Sequence, residues 1–134
     1  MIVADTNLIS YLLIEGVHTP KAEAVYARDS VWMLPPLWRS EFLNVLARSV
    51  STGLLNEQTA LTAWAKATRV VNEREVEPDP TAVLRMAIRS RISAYDAQFV
   101  ALAQMLAVPL VTADRQLAKR CPDHAILMDR FLAG

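Results

Sequence analysis

The stretch Ile2-Val3-Ala4-Asp5-Thr6-Asn7 decides how the rest of the chain is read. Three apolar residues run straight into a carboxylate and two small polar residues. An apolar run this short, without alternation, marks a central strand of a mainly parallel sheet, whose strands are covered on both faces. The polar residues after it predict a turn, with Thr6 or Asn7 capping a helix that starts at Leu8. Asp5 would then stand at the carboxyl end of the strand, where open α/β sheets place their ligand sites.

Outward from this stretch the same alternation recurs. Leu8 to Glu15 predicts a short helix closed by Gly16, and Pro20 opens a second that runs to about Asp29. Val31 to Leu34 is a second buried strand, stopped by Pro35-Pro36. Trp38, Phe42, Val45, Leu46 and Val50 fall at helical spacing between Leu37 and Thr52, and Glu41 interrupts them on the inward flank. Asn56 caps a further helix with Leu61, Trp64, Ala65, Thr68 and Val71 as its stripe, so the two should form a hairpin. The charged run Glu73 to Glu77 is at most a short edge strand. Asp79-Pro80 opens a helix with Leu84, Ala87 and Ile88 inside. Ser93-Ala94-Tyr95-Asp96 resembles a capping box and leads into a helix through Leu106. Val108 to Thr112 is a third strand ending near Asp114. A short helix over Arg115 to Arg120 and a final strand, Ala125 to Met128, closed by Asp129, complete the chain. Strands joined by helical crossovers predict a three-layer α/β/α sandwich with a central, mainly parallel sheet.

Composition narrows the function. With 134 residues, 53% of them hydrophobic, residues 1–134 make a single domain with a real core. Fourteen basic and 14 acidic side chains cancel, so no broad basic field marks a nucleic-acid binder by charge alone. One cysteine, Cys121, cannot form an internal disulfide, and with only His18 and His124 beside it a Cys/His zinc site is excluded. No apolar run approaches the ~18 residues a membrane span requires. Asp5 interrupts the N-terminal apolar segment before it could act as a signal peptide, so a cytoplasmic location is expected.

Four carboxylates stand out: Asp5 and Asp114 beyond the ends of two strands, Glu41 on an inward helix flank, and Asp96 at a helix N-terminus. If the first and third strands are neighbours, Asp5 and Asp114 share one rim, and the helices carrying Glu41 and Asp96 can face it. Two unit charges ~4 Å apart repel by about 4 kcal/mol at an effective dielectric near 20, so such a cluster calls for a cation. Oxygen ligands alone select a hard ion, magnesium or manganese. An ion of this kind suits hydrolysis of a phosphodiester. Thr112 could orient a metal-bound water and Asn7 could support Asp5. Each acid also has an ordinary structural reading: Asp5, Asp96 and Asp114 as helix caps, Glu41 paired with Arg39 or Arg85. Arg85, Arg89, Arg91, Arg115, Lys119 and Arg120 are either contacts to an RNA backbone or solvated helix faces.

Four segments, in order, resemble the PIN-domain nucleases, and among them the VapC-type toxins of toxin-antitoxin pairs. They are Val3-Ala4-Asp5-Thr6-Asn7, Pro36 to Leu46 around Glu41, Tyr95-Asp96-Ala97-Gln98-Phe99-Val100-Ala101-Leu102-Ala103, and Pro109-Leu110-Val111-Thr112-Ala113-Asp114. The resemblance implies a parallel sheet flanked by helices, magnesium or manganese, endoribonuclease activity, self-association as a homodimer or higher homo-oligomer, and inhibition by a small antitoxin protein. By motif, Asp5 and Asp96 are similar to primary metal-site acids, Asp114 to a further acid of the cluster, and Glu41 to the acid that holds water or a second ion. Thr112 matches the hydroxyl residue before the last acid. Some relatives carry another acid just after the position of Asp114, where Arg115 and Gln116 stand here, which leaves one and two metals both open. Two competing functions follow from the same residues. One is a phosphatase or phosphotransfer domain with Asp5 as covalent nucleophile, although Asn7 replaces the second aspartate such enzymes carry. The other is a non-catalytic protein-interaction module of the same fold.

Overall fold

A computed structural model describes all 134 residues. Four short strands, β1 (Ile2–Ala4), β2 (Trp32–Met33), β3 (Leu110–Thr112) and β4 (Ala125–Leu127), form one sheet in the order β2-β1-β3-β4. Every pairing is parallel, with Val3 opposite both Met33 and Leu110. The predicted neighbourhood of the first and third apolar strands is therefore present, and it carries Asp5 and Asp114 to one rim. Ile2, Val3, Ala4, Leu110 and Val111 are all buried, as central parallel strands covered by helices must be.

The helices are α1 (Thr6–Leu13), α2 (Thr19–Arg28), α3 (Trp38–Ser51), α4 (Glu57–Val71), α5 (Pro80–Ser90), α6 (Ala94–Leu106), α7 (Arg115–Arg120) and α8 (Met128–Ala133). They flank the sheet in a three-layer α/β/α arrangement. The α3–α4 hairpin is held by aromatic packing, with Trp38 stacked on Trp64 at 5.5 Å between ring centroids. Helix α6 packs on β1 and β3, and α5 packs on α6 through a separate small cluster, Val83, Ala87, Ala97 and Ala101. Alanines on α6 let the two helices approach closely.

Several local expectations are corrected. Helix α1 starts at Thr6, and its cap is Asp5, whose Oδ1 accepts from Leu8 N at 3.1 Å. It ends at Ile14 in an extended conformation, so Gly16 closes nothing; the only glycine with positive φ is Gly53, at 82° after α3. On α4 the inward residues are Ala60, Ala63, Ala67 and Val71, while Leu61 and Ala65 are exposed. On α5 Leu84 and Ile88 are exposed and Val83 is buried instead. Both helices carry two adjacent apolar stripes, and the neighbouring helix selects which one is covered. The Glu73–Glu77 run makes a single parallel bridge, Leu34 with Glu75, and no strand. The last strand ends at Leu127 rather than at Met128, and Asp129 does not close it, since Met128 begins α8.

Candidate active site

The four acids meet. Asp5, Glu41, Asp96 and Asp114, with Thr6 and Asn7, line one small pocket of about 80 Å3 at the carboxyl ends of β1 and β3. Phe99 and Leu117 supply its apolar wall. Each acid is placed by its own element: Asp5 by the end of β1, Glu41 by the first turn of α3, Asp96 by the first turn of α6, Asp114 by the turn from β3 into α7. Larger cavities exist elsewhere on the molecule, so chemistry rather than volume singles this one out.

The acids lie at graded depth: Asp5 buried, Glu41 and Asp96 half-buried, Asp114 exposed. Thr112, fully buried, lies behind Asp5 rather than on the pocket wall. Its hydroxyl donates to Asp5 Oδ2 and accepts from the Asp114 backbone N–H at 3.0 Å, tying the first strand's acid to the third strand's turn. The Ala113 N–H points to the same Asp5 oxygen at 3.4 Å. Thr6 Oγ1 donates to Glu41 Oε1 at 2.6 Å, which leaves Oε2 free. Ser93 caps α6 by accepting from Asp96 N at 3.0 Å, and Asp114 caps α7 by accepting from Leu117 N at 3.0 Å. The capping readings are thus correct for Asp5 and Asp114 and do not compete with the clustering. A cap spends one lone pair of one carboxylate oxygen.

Ionisation tells the same story of proximity. Burial pushes the Asp5 carboxyl up to about 6 from 3.8, against hydrogen bonds from Thr112, Leu8 and Ala113, with the Asp114 charge adding to the rise. Burial also raises Glu41, opposed by the Thr6 hydroxyl and reinforced by the Asp96 charge. Asp96 is raised by burial and then by the Asp114 charge, with Ser93 opposing. Asp5, Glu41 and Asp96 are thus each raised in part by the charge of another acid of the cluster. No lysine or arginine forms an ion pair with any of them: Arg39 bonds Glu75 at 2.6 Å, and Arg85 does not reach Glu41.

Asn7 is exposed on the pocket wall and makes no hydrogen bond to Asp5. Thr6 is the residue that sequence reading missed. It looked like a helix cap, and its bond to Glu41, 35 positions on, depends on the packing of α1 against α3. A hydroxyl directly after the strand-end acid was the available signal.

Residues 2–121 match the PIN domain family. The chain is 31% identical over 127 residues to the protein named Ribonuclease VapC3 from Pyrobaculum aerophilum, covering 90% of this chain and 95% of that one. Its fold matches the crystal structure of PAE2754 from Pyrobaculum aerophilum with a TM-score of 0.75 across 99% of this chain and 96% of the other, at 23% identity, a likeness of fold. A parallel sheet with four acids gathered at its carboxyl edge, matched over nearly its whole length, means that this chain belongs to the PIN-domain family. Within that family its likeness is to the VapC-type members.

Proposed function

We propose that the protein is a divalent-metal-dependent endoribonuclease of the VapC type, acting in the cytoplasm as the toxin of a toxin-antitoxin pair. The observation that carries this is the convergence of four carboxylates from four segments in a pocket to which the protein supplies no cation. The donor set fits a hard divalent ion. No three of the chain's Asp, Glu, His and Cys side chains are placed to grip one ion together. Oxygen donors alone suit magnesium, which keeps several waters and is held through one or two carboxylates. Asp5 and Asp96 are the residues that would hold it, with Asp114 and Glu41 adjoining. When bound, the ion supplies an activated water and neutralises charge on the phosphodiester.

The chain's own residues do the rest. Thr112 fixes the rotamer of Asp5, and Thr6 fixes that of Glu41. Glu41 Oε2, half-buried and unbonded, is set to take a proton from the attacking water as its oxygen bonds to phosphorus and the ester bond to the departing oxygen breaks, that oxygen taking a proton from solvent. Asn7, exposed at the rim, meets the substrate. A small antitoxin and a second copy of the chain are the expected protein partners.

The test is cleavage of RNA by purified protein with magnesium or manganese and its loss in chelator. Asp5→Asn and Asp96→Asn should each lower cleavage by more than ~100-fold, the upper end of what loss of an outer-shell partner costs, while circular dichroism shows an unchanged fold. Equal cleavage by wild type and both variants would identify a contaminating nuclease and sink the reading.

A further inference from the structure

A second charged cavity, of about 410 Å3, lies between the second half of α5, the end of α6 and the turn from α7 into β4. Arg85 and Arg89 of α5, Arg120 at the end of α7 and His124 line it, facing a single carboxylate, Asp123. Arg85 and Arg89 stand one helical turn apart on the same face, both exposed, and neither is engaged in an ion pair. Arg120 is held differently. It donates to the Arg91 carbonyl, and with the Gln116 amide oxygen turned inward its Nε and Nη2 each bond that oxygen at 3.0 Å. It is a fixed charge in the wall, beside two free arms.

Arginines near helix C-termini complement the helix dipole, which accounts for Arg89 and Arg120. It does not account for Arg85, more than a turn before the end of α5, or for three guanidinium groups around one cavity with one acid. Guanidinium forks match phosphate oxygens in geometry and charge. We propose that this cavity binds the phosphodiester backbone of RNA at a point removed from the scissile bond. The proposal rests on the ribonuclease reading and adds to it where the strand is held.

Two observations favour an RNA strand over other anions. Without its ion the acid pocket repels RNA, so affinity in chelator has to come from cations outside it. The same helices join the two places: α6 carries Asp96 in its first turn and Gln104, eight residues later, lines the cavity, about 12 Å along the axis at 1.5 Å per residue. A strand held at both places must span at least this distance. Only three of the eleven lining residues are hydrophobic, which disfavours an amphipathic protein segment.

The experiment measures binding of labelled RNA oligonucleotides of increasing length to the full chain in chelator, for wild type and Arg85→Ala/Arg89→Ala, across salt concentrations. The double variant should lose affinity for the longer RNAs, and its dependence of log affinity on log salt should be shallower by about 1.4, two contacts at ~0.7 each on a single strand. Arg85→Lys/Arg89→Lys should recover most of both, and dinucleotides should bind all three proteins alike. Wild-type affinity and slope in the alanine variant at every length would overturn the proposal. So would arginine-dependent capture of inorganic phosphate or a mononucleotide as tight as that of RNA, or an arginine-dependent acidic peptide with RNA binding untouched. Failure of the ribonuclease reading looks different: arginine-dependent RNA binding would persist with no cleavage when magnesium is restored.

Discussion

Asp5 is the acid whose ionisation couples the site to the stability of the fold. Its carboxyl ionises near 6 when folded against an ordinary 3.8, so the folded state holds a proton that the unfolded state has lost between those values. The stability Asp5 contributes in its protonated form is therefore fully present below about pH 4, falls as pH rises through this window, and is lost above it. The difference corresponds to about 3 kcal/mol. Burial of Glu41 and Asp96 acts in the same direction. Thermal melts in chelator should show a falling Tm from pH 4 to 7, and Asp5→Asn should flatten that profile and melt above wild type at pH 7. Thr112 is a second residue whose role can be weighed. Thr112→Val keeps the shape but removes the donor to Asp5 and the acceptor for Asp114 N–H. It should cost ~1–3 kcal/mol of stability in a denaturant titration, the range for a buried group left unpaired. Cleavage should fall ~10–100-fold, as for other residues that orient a metal ligand.

At the scale of elements, the site is a set of helix starts and strand ends, and the helix ends are where the sequence is least ideal. Helix α6 closes with Ala107 at φ 54°, a left-handed conformation that suits glycine, while its N–H bonds Ala103 and Gln104 carbonyls. A left-handed alanine costs ~1–2 kcal/mol. Ala107 is exposed, so Ala107→Gly should relieve part of this cost and raise Tm by ~2–4 °C in a melt, without altering RNA cleavage. Phasing was the other weakness at this scale. Leu84 and Ile88 have the spacing of a core stripe, yet Val83 and Ala87 face inward because the alanines of α6 accept only that closer-packing face. Periodicity identifies a helix and leaves the choice between adjacent apolar stripes to its neighbour.

Across the whole molecule, a net charge of zero conceals local clustering: four acids line one pocket, and three arginines with a single acid line another. The divalent ion proposed for the acid pocket would bind only the folded chain. Magnesium or manganese at ~100 times its dissociation constant should therefore add about 2.7 kcal/mol at pH 7. Calorimetry with and without the ion checks this. The gain should vanish in Asp5→Asn, and a metal-independent Tm in wild type would contradict the proposed site. No helix is long and apolar enough to cross a membrane.

The sequence by itself determined the parallel α/β layering, the strand ends at Asp5 and Asp114, and the helix starts at Asp79 and Ser93. These follow from short-range causes: unalternated apolar runs, caps and prolines acting over a few residues. Only the tertiary structure decided that β1 lies against β3, that Thr112 bonds Asp5, that Thr6 holds Glu41, and which stripe of α4 and α5 is covered. Those pairings join residues up to 107 positions apart, and the spacing of apolar side chains along a chain carries no information about which distant partner will lie against them.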